Sequence, residues 1–282
     1  MLIVALVLSL LMFFFLFHFR KIARKNIFRH MAIMYMILFG FLSIGIGSYY
    51  VYNANLPTLF NAIFQDKQVQ LHTSKKSKLI NKSNISYQIE APVIKQFPEL
   101  PRGCEVTSLS MLLQFHDIEV NKMETAEKIK KDETSYTKKN GVIHFGDPNV
   151  GFVGDMYNIS NPGYGVYHKP LYQLTKDYVG DKALDITGKP FDSVIELVAQ
   201  GKPVVVITNI TYKALPDTNF ITWQTPNGPL DVTMKLHAVL VTGFDSKSIY
   251  FNDPYDGTQK KAPRQEFVSA WEQMGNQAIS IK

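Results

Sequence analysis

The amino-terminal part of the chain contains two long apolar segments, and these limit the folds open to it more than any other feature. Residues 1–17 are apolar without interruption, residues 31–53 form a second apolar segment, and residues 18–30 between them carry five Lys or Arg and no acid. As helices rising about 1.5 Å per residue, such segments approach the roughly 30 Å hydrocarbon thickness of a bilayer. The pattern predicts a membrane hairpin of two transmembrane helices.

The charge of the intervening segment predicts the orientation of this hairpin. Short, positively charged loops stay in the cytoplasm, so we expect the chain after residue 53 to lie on the extracellular side of the cell membrane. The alternative is a cleaved signal peptide, with 18–30 as its charged region and 31–48 as its apolar region. No clear A-x-A cleavage site follows, and residues 1–17 would have no role. We therefore favour the hairpin.

The rest of the chain divides into a polar linker and a folded domain. Residues 54–85 are rich in Lys, Ser and Asn and predict a stalk, whereas residues 86–282 predict one globular domain. The formal net charge of +6 belongs to the membrane-proximal part, because residues 83–282 hold 20 basic and 23 acidic side chains, a net charge of −3. This balance gives no reason to expect a nucleic-acid partner.

The order of the predicted elements indicates an α+β domain. Helical spacing starts at Glu105 and recurs at 123–131, 170–179 and 190–203. Strand-like runs follow at 203–210, 219–224, 230–234, 237–245 and 248–254. The turn TPNGP at 225–229 predicts a hairpin between the second and third of these runs. Because the helices precede the strands, we expect N-terminal helices packed on one side of a C-terminal antiparallel sheet.

Cys104 is the single cysteine of the chain and stands at the start of the first predicted helix, in LPRGCEVTSLSMLL. Outside the cell it has no intramolecular disulfide partner, so it is either a buried structural thiol or a functional one. A helix start favours the thiolate, and a nearby imidazole would favour it further. His116 lies twelve positions along the same helix, about 18 Å away, and is excluded. His144 and His168 remain possible partners.

His237 is the best placed of the histidines for such chemistry. It opens the strand HAVLVTGFD, and the next strand ends in FNDP with Asn252 and Asp253. Two antiparallel strands joined by a tight turn at 245–247 would bring Asp253 back beside His237. A carboxylate there holds an imidazole in its productive tautomer and orientation. Taken singly, Cys104 is also explained as a core thiol, His237 as a surface histidine, and FNDP as a turn.

Four segments together resemble the bacteriocin-processing-like cysteine peptidases, cysteine peptidase family thirty-nine, which have the papain-like fold. These segments are QFPELPRGCEVTSLSMLL, GFVGDMYN, HAVLVTGFD and IYFNDPY. The resemblance covers about residues 90–275 and is greatest to the stand-alone, membrane-anchored bacterial branch. It implies a papain-like domain at 86–282.

The resemblance also implies site residues. Cys104 would be the nucleophile, His237 the general base and acid, and Asp253 the group that orients His237. Gln96 would donate to the oxyanion beside the Cys104 backbone N–H, although its spacing to Cys104 is longer than in papain-like enzymes generally. Glu105, Asp155 and Tyr157 also fall in matching motifs, without an assigned role.

These residues predict a cell-surface cysteine peptidase that hydrolyses peptide bonds through a thioester. The partners expected are a peptide or protein substrate and the membrane. No Gly-rich phosphate loop or Cys/His metal spacing is present in the sequence, so we expect no cofactor or metal. Transporter-linked members cut double-glycine leaders in the cytoplasm, and that substrate does not fit the predicted topology. Two alternatives stay open: a catalytically silent binding module and a hydrolase of peptidoglycan stem peptides.

Overall fold

The computed structural model describes residues 12, 15–18, 33–41, 43 and 86–282. The described residues before position 44 belong to one compact unit and residues 86–282 to another. In the first unit the described residues are helical. In the ranges that are described, no helix combines the length and the apolar character needed to cross a membrane. Most of the predicted helices at 1–17 and 31–53, and all of the linker up to residue 85, lie outside these ranges.

The second unit contains five α-helices and thirteen strands. The helices are α1 (Cys104–Phe115), α2 (Lys122–Lys128), α3 (His168–Val179), α4 (Asp192–Ala199) and α5 (Arg264–Gln273). The first six strands are β1 (Tyr87–Gln88), β2 (Lys131–Asp132), β3 (Thr137–Lys139), β4 (Val142–His144), β5 (Phe152–Val153) and β6 (Ala183–Asp185). The later strands are β7 (Val204–Asn209), β8 (Ile221–Thr225), β9 (Gly228–Val232), β10 (Leu236–Phe244), β11 (Ser248–Asp253), β12 (Thr258–Pro263) and β13 (Ala278–Ile281).

A seven-stranded sheet forms the centre of this unit. Its strand order is β12-β11-β10-β7-β13-β6, and β1 pairs with the far end of β10. All the pairings are antiparallel. The predicted strands β7, β10 and β11 are therefore confirmed, and the tight turn between β10 and β11 is present. Strands β6, β12 and β13 and helix α5 were not predicted from the sequence.

Helices cover both faces of this sheet, so the expectation of helices on one side is wrong. On one face, α1, α2 and α3 pack against Val205, Ile207 and other buried side chains. On the other face, α4 and α5 pack against the alternate residues Val204 and Val206. The reason lies in the strands themselves, since β7 and β10 are apolar at successive positions and not at every second one. Strands of that kind are buried on both faces.

A smaller four-stranded sheet has the order β3-β4-β8-β9. Strands β8 and β9 pair antiparallel, with Thr225 opposite Gly228, which confirms the hairpin predicted from TPNGP. Strands β3 and β4 lie between residues 132 and 169, where no helix or strand was predicted from the sequence. They pair only through Thr137–Lys139 and Val142–His144, runs too short and polar to show a strand period.

Candidate active site

Helix α1 brings Cys104 against the central sheet. The helix starts at Cys104 directly after Gly103, and a Cβ on Gly103 would collide with the Leu100 side chain. Further along the helix, the Ser108 hydroxyl donates to the Ala238 carbonyl of β10 at 3.1 Å. Because Ala238 follows His237 in the chain, this bond fixes the first turn of α1 next to the strand end that carries the histidine.

Cys104 and His237 open into one cavity of about 340 Å³. Gln96 lines the same cavity, so three of the four predicted site residues share it. The remaining lining residues are Pro101, Arg102, Ile159, Gly163, Tyr164, Ile210, Met234, Lys235, Leu236 and Tyr255. Both chemically important side chains are largely covered, since Cys104 is 7 % exposed and His237 is 2 % exposed.

The fourth predicted residue, Asp253, contacts His237. Strands β10 and β11 pair with Leu240 opposite Asn252, so the next residue of β11 lies on the same face as His237, one diagonal step away. His237 Nε2 lies 2.8 Å from Asp253 Oδ1. With a carboxylate facing Nε2, we assign the ring proton to that nitrogen, which leaves Nδ1 of the neutral ring as the basic atom.

Asp253 is fully buried and is held by more than the histidine. Its Oδ2 accepts hydrogen bonds from the Tyr212 hydroxyl at 2.5 Å and from Lys260 Nζ at 2.6 Å, and its Oδ1 also accepts the Tyr255 backbone N–H at 2.9 Å. Burial alone would raise the pKa of Asp253, but the hydrogen bonds from His237, Lys260 and Tyr212 outweigh it and hold the pKa well below its ordinary value. The carboxylate is therefore ionised at neutral pH.

The thiol environment differs from the one predicted from the helix start. Cys104 Sγ donates to Glu105 Oε2 at 3.2 Å. Burial raises the pKa of the Cys104 thiol well above its ordinary value, and the charge of Glu105 raises it further, while the Ala238 backbone N–H lowers it. Desolvation and a neighbouring carboxylate both disfavour the thiolate, and they act against the effect of the helix start.

Gln96 reaches the cavity, but its amide already has acceptors. Gln96 Nε2 donates to the carbonyls of Leu100 at 3.1 Å and Pro101 at 3.0 Å. Its Oε1 is buried without a hydrogen-bond partner. The role of Gln96 as an oxyanion donor stays a prediction, and it requires that one of these two N–H groups leave its carbonyl.

The other histidines that the sequence left open lie elsewhere. His144 is exposed in β4. His168 starts α3 and contacts Asp185 of β6, with Nδ1 and Oδ2 2.8 Å apart. It lines a separate cavity of about 300 Å³, which does not contain Cys104. His237 is therefore the histidine that shares a cavity with the cysteine.

A protein-family model described as "Peptidase_C39 like family" matches residues 88–279. The chain belongs to this family. Among curated proteins, the uncharacterized protein YvpB of Bacillus subtilis (strain 168) is 46 % identical over 185 residues, which are 66 % of this chain and 71 % of that protein. Among solved structures, a protein assigned as a C39-like peptidase from Bacillus anthracis is also 46 % identical, with a TM-score of 0.66 over 70 % of this chain and 98 % of that one. The domain at 86–282 therefore has the mixed α/β fold of a C39-like peptidase.

Three further residues contact the predicted site residues. Tyr212 and Lys260 contact Asp253, and Glu105 contacts Cys104. No role was predicted for Tyr212 or Lys260 from the sequence. Tyr212 has a positive φ of 54° in the polar stretch after β7, where sequence gives no indication that its hydroxyl reaches β11. Lys260 is brought near Asp253 by the β11–β12 register, and β12 was not predicted from the sequence.

Arg102 organises one wall of the cavity. Its guanidinium donates to four backbone carbonyls of one loop, those of Asp155, Asn158, Ile159 and Asn161, at 2.9–3.0 Å. The carboxylate of Asp155 stabilises the same loop by accepting backbone N–H groups of the two residues 157 and 158. This loop carries the Ile159 side chain on the rim of the cavity. Asp155 thus stabilises the loop that brings Ile159 to the cavity, and Tyr157 lies in the same loop without lining the cavity.

Proposed function

We propose that this protein is a cysteine peptidase in which Cys104 is the nucleophile, His237 the general base and acid, and Asp253 the group that orients the imidazole. The observation that carries the proposal is His237, which lies 2.8 Å from the buried Asp253 and lines the same cavity as the thiol at the start of α1. A base within reach of a nucleophile and oriented by a third group is the arrangement that nucleophilic catalysis requires.

The geometry supports a two-step hydrolysis. The Cys104 thiol passes its proton to His237 Nδ1, and the sulfur attacks the carbonyl carbon of the substrate. The tetrahedral intermediate collapses to a thioester as the C–N bond breaks, and His237 protonates the departing amine. Water then attacks the thioester while His237 accepts one of its protons. The carboxylic acid leaves, and the proton returns to the sulfur.

The negative charge that forms on the substrate oxygen needs hydrogen-bond donors. The first backbone N–H groups of an α-helix have no acceptor within the helix, and that of Cys104 lies at this end of α1. We assign it as the first oxyanion donor. Gln96 is the second, after exchange of one of its N–H groups from the Leu100 or Pro101 carbonyl. Donors aimed at such an oxygen contribute about 3 kcal/mol each to lowering the barrier.

The rim of the cavity favours a substrate with a bulky apolar side chain near the scissile bond. Within residues 86–282, the three most exposed large apolar side chains are Ile159 and Met234, each 63 % exposed, and Tyr255, 50 % exposed. All three line this cavity. Exposed apolar side chains gathered in one place mark binding surfaces, and an unfolded polypeptide provides matching side chains. Peptides or unfolded proteins are therefore the proposed substrates.

We further propose that the peptidase domain lies on the extracellular face of the cell membrane. The basis is the segment 18–30, with its five positive charges between two apolar segments, because such loops stay in the cytoplasm. The test is protease treatment of intact bacterial protoplasts that express the full chain. Digestion of the domain before lysis is the expected result, and protection until lysis would contradict the proposed location.

The proposed activity is tested with the purified full chain and a mixture of unfolded proteins, scored by new amino termini. We expect cleavage that is lost in Cys104→Ala and retained in His168→Ala, the matched change outside the cavity. Isolated cell walls serve as the second substrate. Stem-peptide release without protein cleavage would identify a peptidoglycan hydrolase, and no Cys104-dependent cleavage of either would leave a binding module.

A further inference from the structure

The mechanism above gives no part to Glu105, although this carboxylate contacts the nucleophile. Glu105 is 1 % exposed, and its Oε2 accepts the hydrogen bond from Cys104 Sγ at 3.2 Å. Its other oxygen, Oε1, accepts the Val166 backbone N–H at 3.0 Å. None of the ion pairs found in the described part of the chain involves it. A buried carboxylate without a cation is costly, and structural roles rarely require one.

The chain around Glu105 is shaped to admit this side chain. Gly165 lies so close that a Cβ on it would collide with Glu105 Oε1. The bond from Val166 and the contact with Cys104 together fix both oxygens of the carboxylate, one on the backbone and one on the thiol. Its position next to the sulfur is therefore built into the loop before α3 as well as into α1.

The titratable groups near the pair come from several elements. Around Glu105 these are the thiol itself and the hydroxyls of Tyr164 and Tyr167, whose pKa values are raised by burial and, in part, by the charge of Glu105. The charges of Glu105 and Asp253 raise the pKa of the thiol. His237 lines the same cavity. Lys235 also lines it.

The charge of Glu105 opposes ionisation of the thiol. Burial raises the pKa of Glu105 to about 7, although the hydrogen bonds from Val166 and Cys104 act in the opposite direction. Near neutral pH a substantial share of the molecules therefore carries a carboxylate at the sulfur. An anion at this distance stabilises the neutral S–H donor and destabilises the thiolate.

We propose that Glu105 is a positioning residue that holds the resting thiol of Cys104 in its protonated form, directed to Oε2, and keeps it unreactive until substrate binding turns the sulfur towards His237. The inference rests on the proposed function only in treating Cys104 as the nucleophile. It gives the resting enzyme a neutral thiol, where an ion pair of thiolate and imidazolium would otherwise form. A surface enzyme with such a thiol resists oxidation and alkylation, because both act on the thiolate.

The test is the rate at which iodoacetamide, a neutral reagent, alkylates the full chain as a function of pH. In Glu105→Gln the amide oxygen can still accept the Val166 N–H, while the charge beside the sulfur is gone. We expect the midpoint of the alkylation profile to fall by about one pH unit, which is about a tenfold faster reaction near neutral pH. Glu127→Gln, a change at an exposed position of α2, should leave the profile unchanged. A Glu105→Gln profile that coincides with the wild-type one would overturn the proposal.

A second measurement covers the case in which Glu105→Gln does not fold. Cys104 is the single cysteine of the chain, so the S–H stretching band in the infrared spectrum of the wild-type protein belongs to it alone. We expect this band at neutral pH, shifted to lower frequency by the hydrogen bond to Glu105. Its absence, or a position typical of a free thiol, would contradict the proposal. Neither experiment needs turnover, so this inference and the proposed peptidase activity can fail separately.

Discussion

The domain contains two His–Asp pairs with the same separation and different surroundings. The nitrogen–oxygen distance is 2.8 Å both in His237–Asp253 and in His168–Asp185. The first pair is enclosed, with side-chain exposures of 3 % and 0 %, whereas the second has 15 % and 23 %. His237 of the first pair shares a cavity with Cys104, and the cavity lined by His168 contains no cysteine.

The difference lies mainly in what else holds the carboxylate. Tyr212 and Lys260 fix Oδ2 of Asp253, which leaves Oδ1 for the histidine. Asp185 instead accepts the Thr187 backbone N–H on the oxygen that does not face His168. A carboxylate held from three sides keeps an imidazole in one orientation, and water exclusion strengthens each of these bonds. The contact distance alone does not distinguish the pair that we propose as catalytic from the other pair.

The largest expected effect separates the two histidines. We expect His237→Ala to lower kcat/KM by about 10²–10⁴-fold, because it removes general acid–base catalysis, and Cys104→Ala to abolish turnover. His168→Ala should change kcat/KM by less than about threefold, since a partly exposed contact of this kind contributes little. The measurement is steady-state cleavage of an unfolded protein substrate. Equal losses in the two histidine variants would remove the distinction between the pairs.

The two aspartates should differ in the same direction. Asp253→Asn is expected to lower kcat by about 10²-fold, the lower end of what positioned acid–base groups contribute, while Asp185→Asn leaves kcat nearly unchanged. Asp253→Asn should also lower the free energy of unfolding by about 2 kcal/mol, as for charged hydrogen bonds. If Asp185→Asn lowered kcat as strongly, the loss in Asp253→Asn would reflect a general loss of stability and not the orientation of His237.

The pH dependence of this loss in stability follows from the depressed pKa of Asp253. A carboxyl whose pKa is lower in the folded state stabilises the protein above its ordinary value of 3.8, and this contribution declines as the pH falls below it. Urea unfolding should therefore show a constant difference between wild type and Asp253→Asn near neutral pH. The difference should shrink below 3.8. A difference that grew on acidification would contradict the assignment of an ionised carboxylate.

A smaller effect is expected on the rim of the His237 cavity. Met234→Glu places a charge where an apolar substrate side chain is proposed to bind, and we expect kcat/KM to fall about tenfold, chiefly through KM. Met123→Glu, which changes an equally flexible side chain on α2 that is 40 % exposed, is the control. A fall in kcat with KM unchanged would mean that the substitution affects the chemical step, and it would contradict the proposed binding role.

The smallest expected effect concerns the bond from Tyr212 to Asp253. Tyr212→Phe keeps the ring, which packs on Phe251 and Phe267, and removes the hydroxyl. Loss of one hydrogen bond of about 1 kcal/mol predicts about a fivefold lower kcat. Thermal unfolding measured beside kcat would show whether the change acts on Asp253 or on packing, since a packing defect would lower stability without a specific loss of kcat.

Local sequence signals predicted the strands and the helix that carry the proposed triad. The helical spacing that starts at Glu105 indicated the start of α1, and a tight turn between two β-rich runs indicated that Asp253 returns to His237. What sequence could not predict was set by non-local pairing. Strand β13, at the end of the chain, lies between β7 and β6, and no local period determines such a strand order.

The same limit applies to the electrostatics of the thiol. A cysteine at a helix start is predicted to have a lowered thiol pKa, because the effect of the helix start is local and can be inferred from the sequence. The burial of Cys104 and the approach of Glu105 are features of the tertiary structure. The position of Glu105 depends on Gly165 and Val166, some sixty residues later in the chain. Burial and the charge of Glu105 both raise the pKa of the thiol, in the direction opposite to the helix effect.

The most direct test of the central claim is detection of the thioester on Cys104. The full chain would be mixed with excess unfolded substrate protein, quenched in acid within milliseconds, and analysed by intact mass spectrometry with and without neutral hydroxylamine. The proposed mechanism predicts an adduct with the mass of an amino-terminal substrate fragment. Hydroxylamine should remove this adduct, which should be absent in Cys104→Ala and persist in His168→Ala. Substrate cleavage by Cys104→Ala at the wild-type rate, or cleavage by the wild type without any adduct on Cys104, would contradict it.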